Sequence, residues 1–222
     1  MQKFKEIDVQ AFESYCVLSL NRSSKRNAIN RSMRKELKSF LAWVNFPFII
    51  LTGLGKGFCA GLDLKEEPTT EDAQDFMALL NSMYSHESIF LAAVNGAARG
   101  GGMMLINACD LAIGSESASF GMPSEVPIPD TEGGTQKLQN QTASWMFLAG
   151  KVISATEGMH LGILQEVVPH SQLLNEAHKR VNKLISSDLV KLNSFKKQIN
   201  IPPFENQFRS KADGLAAFLS SS

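Results

Sequence analysis

The chain has 222 residues, with 22 basic and 22 acidic side chains and a formal net charge of +0. That length fits one domain, or one domain with a helical appendage, and a 44% hydrophobic share is ample for a core. A neutral chain has no overall field to gather nucleic acid or acidic lipid, so neither is an expected partner. Cys16, Cys59 and Cys109 form no C-x-x-C pair, and His86, His160, His170 and His178 are scattered. Neither a disulfide framework nor a metal site is expected from them. The first residues alternate charge with single apolar side chains, and no apolar stretch reaches bilayer length. Ser220-Ser-Ser222 is not a peroxisomal address, so the cytoplasm is the expected location.

Tyr15 to Leu20 is mostly apolar and reads as a strand, and the polar, basic stretch from Asn21 to Asn27 reads as a loop. Asn30 is placed to cap a helix over Arg31 to Leu41, where Met33, Leu37, Phe40 and Leu41 share a face. Phe48 to Thr52, between Pro47 and Gly53, suits a buried strand, followed by a glycine-rich turn from Gly53 to Gly61. Glu71 to Tyr84 reads as helix, Ile89 to Val94 as a second buried strand and Asn95-Gly96 as a turn. Arg99-Gly-Gly-Gly102 leads into an apolar helix over Met103 to Cys109, and Leu111 to Gly114 is a short strand. Ala118 to Gly134 reads as irregular and Thr135 to Leu148 as helix. Beyond Gly150 helices dominate, over Ala155 to Leu164, Leu173 to Ile185, Asp188 to Ile199 and Lys211 to Leu219, with one strand at Glu166 to Val168. Strands alternating with helices, with glycine turns at their junctions, predict an α/β domain whose ligand sites lie at strand ends. A boundary near Gly150 divides it into residues 1–150 and a helical segment, 151–222.

Three segments carry chemistry. Phe58-Cys-Ala-Gly-Leu-Asp-Leu64 and Val94-Asn-Gly-Ala-Ala-Arg-Gly-Gly-Gly-Met-Met104 each put a glycine turn after a buried strand. Unpaired N–H groups at two such turns, converging on one point, make an oxyanion hole; each turn alone also reads as a plain strand-to-helix connection. The third, Phe120 to Gln136, holds Glu125, Asp130 and Glu132 in a proline-stiffened, mostly apolar stretch. A carboxylate there can serve as a general base, and Glu132 reads equally as an acid favoured by a helix dipole.

Asn21-Arg22, Asn27-Ala-Ile-Asn30, Phe58 to Asp63, Ala93-Val-Asn-Gly96, Gly100-Gly-Gly102, Cys109-Asp110 and Gly133-Gly-Thr-Gln136 occur in the order of the enoyl-CoA hydratase/isomerase, or crotonase, family. Ala149-Gly150, Gly162 to Pro169 and Gly214 to Leu219 extend the resemblance over nearly the whole chain. The resemblance implies a spiral of ββα units, then helices that build a homotrimer or a dimer of trimers, with Leu184, Ile185, Leu189 and Leu192 facing either a neighbouring subunit or the chain's own core. It implies an acyl-CoA thioester substrate, with CoA part of the substrate and no separate cofactor. The thioester oxygen would be held by the N–H groups of Leu62 and Gly101, with adenine near Cys59 and Ala60. Lys65 and Arg22 are candidate phosphate contacts, set against a reading as solvated surface charge.

The chain also departs from its family. Family hydratases carry a glutamate where this chain has Met104, which would line the acyl pocket, and a second one where it has Ser124; Glu125 is one residue out of register. Thr131-Glu-Gly-Gly-Thr135 instead resembles the single-glutamate enoyl-CoA isomerases of the peroxisomal type, with Glu132 at their catalytic position. The resemblance therefore implies an isomerase with Glu132 as base and Glu125 in reserve. Hydration, decarboxylation, thioester hydrolysis and CoA binding without chemistry are the alternatives.

Overall fold

The computed structural model describes residues 3–66, 69–122, 145–146 and 149–199. Two sheets organise them. The larger has the order β1 (Ile7–Ala11), β2 (Tyr15–Leu20), β3 (Phe48–Gly53), β5 (Ile89–Val94), β7 (Leu111–Ser115) and β10 (Glu166–Val168). β1 runs antiparallel to β2 and every other pair is parallel. The smaller has the order β4 (Gly57–Cys59), β6 (Ala97–Arg99), β8 (Ser119–Gly121) and β9 (Ile153–Ser154). Its first three strands are parallel, and β9 is antiparallel to β8.

Each turn of the chain gives one strand to each sheet and then a helix. β3 and β4 precede α2 (Thr70–Ser85), and β5 and β6 precede α3 (Gly101–Ala108). The turn that begins at β2 follows the same plan: Ile29 bridges to Leu62 in parallel beside β4, and α1 (Arg31–Trp43) follows. This is the expected spiral of ββα units. After Gly150, β9 and α4 (Ala155–His160) precede β10, so this segment adds a strand to each sheet before α5 (Leu173–Ile185) and α6 (Leu189–Ile199).

Strand periodicity sorts the larger sheet's side chains onto two buried faces. Cys16, Leu18 and Leu20 of β2, Ile49 and Leu51 of β3, and Phe90, Ala92 and Val94 of β5 join the main core with α1, α2 and α3. Tyr15, Val17, Phe48, Ile50, Ile89, Leu91 and Ala93 face the other way, where α5 lays Leu173, Ala177 and Val181 along them at intervals of one turn. Leu184, Ile185 and Leu192 pack against this second core, whereas Leu189 is exposed.

Local chemistry explains the helix ends. The Asn30 side chain accepts from the Met33 N–H and starts α1. Thr69 and Asp72 form a reciprocal capping box that starts α2. The expected helix over Ala155 to Leu164 stops earlier, because Gly162 takes a left-handed conformation (φ +78°) and Ile163 and Leu164 turn inward to be buried.

Candidate active site

The site lies where the first two strands of the smaller sheet end. After β4 the chain turns at Gly61, with φ +92°, and after β6 it turns at Gly100, with φ +46° and ψ −114°. The two turns touch. A Cβ added at Gly101 would lie 3.5 Å from the Gly61 Cα, and one added at Gly61 would lie 3.2 Å from the Gly101 N. One at Gly102 would lie 2.4 Å from the Cys59 carbonyl oxygen, so only glycine lets α3 seat on β4.

Two N–H groups are left over in this contact. Ile29 makes both bonds of its bridge, donating to the Gly61 carbonyl and accepting from the Asp63 N–H at 2.7 and 2.9 Å. In a parallel ladder the residue between those two, Leu62, then turns its own N–H to the opposite side, away from Ile29. Gly101 opens α3, where an N–H has no partner within the helix. Among the described residues neither N–H is hydrogen-bonded to backbone outside the regular elements. The α3 dipole adds positive potential at Gly101.

Several groups hold the turns rigid. Asn27 is wholly buried with φ +56°, a conformation open to asparagine at little cost. Its Nδ2 donates to the carbonyls of Leu54, Gly57 and Phe58 at 3.0, 2.9 and 3.2 Å, and its Oδ1 accepts from the Arg22 N–H. Asn95 braces the same turn from the other side, accepting from the Gly53 N–H and donating to the Gly55 carbonyl. Phe76 of α2, itself buried, lies against Gly101. Arg31 and Arg34 of α1 both pair with Asp72, which ties α2 to α1. The Arg31 hydrogen bond comes first among the causes that hold the Asp72 carboxyl well below the usual carboxylate range, ahead of the Thr69 bonds.

The sequence-predicted site residues divide. The turns that carry Leu62 and Gly101 are in contact. Met104 lies one turn beyond Gly101 on the same side of α3, half-buried against the core, and a helical side chain at that place leans back toward the helix start. Ala60 is exposed and its N–H is spent on the Arg26 carbonyl, and Lys65 is exposed on the loop beyond. Two more of these residues are engaged within the fold. Cys59 offers a ligand no surface: it is wholly buried, its thiol donates to the Asn27 carbonyl, and burial pushes its pKa up to about 12. Arg22 is neither a free phosphate contact nor solvated charge. Its Nε pairs with Glu6 at 3.0 Å and its Nη1 with Asp63 at 2.9 Å. Burial would raise the Asp63 carboxyl, but the bonds from Arg22 and the Lys65 N–H outweigh it and leave Asp63 below its ordinary value. Glu125 and Glu132 lie outside the described residues. Among those described, no group of three or more His, Cys, Asp or Glu side chains is arranged to hold a metal ion, and no helix is long and apolar enough to cross a membrane.

Sequence reasoning missed the bracing by Asn27, Asn95 and Phe76. An asparagine between a basic loop and a helix cap was a signal for the first, and the Asn-Gly pair for the second.

The family profile described as enoyl-CoA hydratase/isomerase matches residues 10–214. The chain belongs to the enoyl-CoA hydratase/isomerase family. The short-chain-enoyl-CoA hydratase of Clostridium acetobutylicum is 34% identical to it over 201 residues, which are 83% of this chain and 77% of that protein. The crotonyl-CoA hydratase of Syntrophomonas wolfei is 32% identical over 200 residues, 82% of this chain and 76% of that one. The crystal structure of an enoyl-CoA hydratase from Bacillus anthracis superimposes with a TM-score of 0.83 at 27% identity, over 96% of this chain and 92% of the other. Membership in the enoyl-CoA hydratase/isomerase family thus rests on sequence and fold together.

Proposed function

We propose that the chain binds an acyl-CoA thioester with its carbonyl oxygen between the N–H groups of Leu62 and Gly101, and that its reaction passes through the thioester enolate. The observation that carries this reading is the pair of uncommitted N–H groups on two turns in van der Waals contact. Rigid donors aimed at developing negative charge lower the barrier because they need no reorganisation. The adenine end would lie by the exposed Ala60, with Lys65 on the phosphate side.

The reaction we favour is the shift of a double bond from C3 to C2. A single carboxylate, Glu132 with Glu125 in reserve, takes a proton from C2. The electron pair moves onto the thioester oxygen as a dienolate, and the proton returns at C4. The support is Met104, an apolar side chain where family hydratases place an acid. Hydration is the second reading, favoured by the activities named for the Clostridium and Syntrophomonas relatives. Incubation with a 3-enoyl-CoA and with a 2-enoyl-CoA, followed by product identification, separates them. A 2-enoyl product from the first with no hydroxyacyl product from the second supports isomerisation; fast formation of 3-hydroxyacyl-CoA overturns it.

We extend the proposal to a homotrimer or a dimer of trimers. Leu174, Leu189, Val190 and Phe195 are exposed on α5 and α6, as a subunit contact needs. A monomer by light scattering at micromolar concentration overturns this part.

A further inference from the structure

Leu62 is held by bonds on either side of it. The Gly61 carbonyl accepts from the Ile29 N–H at 2.7 Å, and the Asp63 N–H donates to the Ile29 carbonyl at 2.9 Å. These two bonds run side by side, so the segment can still hinge about the line that joins them. Such a hinge carries the Leu62 N–H out of the plane of the bridge, because the peptide that holds it is planar with the Gly61 carbonyl. A fixed donor therefore needs a third anchor away from that line.

The Asp63 side chain supplies one. Its Oδ2 accepts from the Arg22 Nη1 at 2.9 Å, and its Oδ1 accepts from the Lys65 N–H at 3.2 Å. The same Nη1 donates to the Ala28 carbonyl. Ala28 precedes Ile29 and Asp63 follows Leu62, so a single nitrogen ties together the two segments that the Ile29–Leu62 bridge pairs. Arg22 is itself fixed at both ends. Its Nε pairs with Glu6 at 3.0 Å, and its backbone N–H donates to the Asn27 Oδ1 at 2.9 Å.

The side chains of Arg22 and Asp63 are only 15% and 12% exposed. Charges drawn this far from water add little stability over apolar packing, so the contribution of the pair is geometric. The guanidinium also offsets a carboxylate one residue beyond Leu62, which if bare would oppose the negative charge of an enolate. We propose that Arg22 is a positioning residue, which acts through Asp63 to hold the Leu62 N–H on the thioester oxygen. The inference deepens the reading of the thioester site and rests on it.

The carbonyl stretch of a bound thioester tests it, because an oxyanion hole polarises the carbonyl and lowers its frequency. A saturated acyl-CoA, isotopically labelled at the carbonyl carbon, is compared free and bound by difference infrared spectroscopy, and its dissociation constant is measured alongside. Asp63→Ala should lose about half or more of the wild-type downshift, as expected when one of two donors is misplaced. Deuterium exchange at C2 of the saturating ester should slow roughly tenfold to a hundredfold. The dissociation constant should stay within about threefold, since a hole acts more on the enolate than on the ground state. Arg22→Lys, whose ammonium cannot span Glu6, Ala28 and Asp63 together, should fall between wild type and Asp63→Ala. Asp63→Asn keeps the size of the side chain and carries the test if Asp63→Ala does not fold. A pair with only a structural role would lower Tm and the amount of ester bound but leave the stretch of each bound ester unchanged, and that result overturns the inference alone. Absence of a downshift in the wild-type chain overturns the thioester site with it.

Discussion

Replacing Gly102 by alanine tests whether the fit of α3 on β4 sets the chemistry. The added methyl would sit 2.4 Å from the Cys59 carbonyl oxygen and 2.9 Å from the Cys59 Cβ. The oxygen is backbone and cannot rotate away, so helix and strand must part by roughly 1 Å to reach ordinary contact. Overpacking of this kind costs about 1–3 kcal/mol, and alanine's better helix propensity returns up to about 1 kcal/mol. The net loss then lowers Tm by about 2–4 °C for each kcal/mol in a chain of this size. The larger effect is on the reaction, because the Gly101 N–H moves with the helix start. Losing one donor of an oxyanion hole costs about 10²–10³ in rate. Exchange of the C2 hydrogens of a saturated acyl-CoA in D₂O, followed by mass spectrometry, reports enolate formation whatever the net reaction. Gly102→Ala should slow exchange by about two orders of magnitude. Gly101→Ala should be milder, because its methyl meets the edge of the Phe76 ring at 3.1 Å, and a ring can tilt where a carbonyl cannot. Exchange within about twofold of wild type in a folded Gly102→Ala protein would falsify the coupling of this contact to the hole.

Three further outcomes are expected. Glu132→Gln should abolish isomerisation while sparing acyl-CoA binding, and Glu125→Gln should keep most activity; the reverse pattern moves the base to Glu125. Asn27→Ala strips hydrogen bonds from the carbonyls of Leu54, Gly57 and Phe58 and leaves alanine at φ +56°. Its cost in urea unfolding should be about 3 kcal/mol or more, and a loss below about 1 kcal/mol would show that the turn does not depend on it. His86 accepts from the Ser88 N–H at Nδ1 and meets the Leu41 carbonyl at Nε2, so the neutral ring with its proton on Nε2 fits both. Its pKa is lowered, first by burial and then by the Lys196 charge, and that of His178 is lowered by burial. The unfolded chain therefore binds more protons, so stability is fully present above the ordinary histidine value near 6.5 and falls as the pH drops below it. Tm measured from about pH 7.5 to 5 should fall toward acid, less steeply in His86→Gln; equal slopes would remove His86 from the account.

The elements legible in the sequence are those whose patterns are long. β2, β3 and β5 stood out as continuous apolar runs because both their faces are buried, and α5 kept its expected ends, Leu173 and Ile185. The smaller sheet was not legible. Its strands are two or three residues long, and Gly57-Phe-Cys59 reads as part of a glycine turn until Ala97 and Ala98 lie beside it. β1 was passed over as a charged leader, although its alternation of polar and apolar residues is what an edge strand shows. At the site, the glycines pointed to the turns correctly, since their reason is local. The role of Arg22 was not local: its partners, Glu6 and Asp63, are 16 and 41 residues away in sequence, and only the closed spiral brings them together.

The buried cysteines have a practical consequence. Cys16, Cys59 and Cys109 are each 0% exposed, and burial pushes the thiols of Cys16 and Cys59 up to about 12. Thiolate, the species that reacts with aromatic disulfides and maleimides, is scarce at both and shielded from reagent. The folded protein should therefore stay silent toward thiol dyes. Any colour such a dye develops during turnover reports CoA set free from its ester, so thioester cleavage can be read continuously against a flat background.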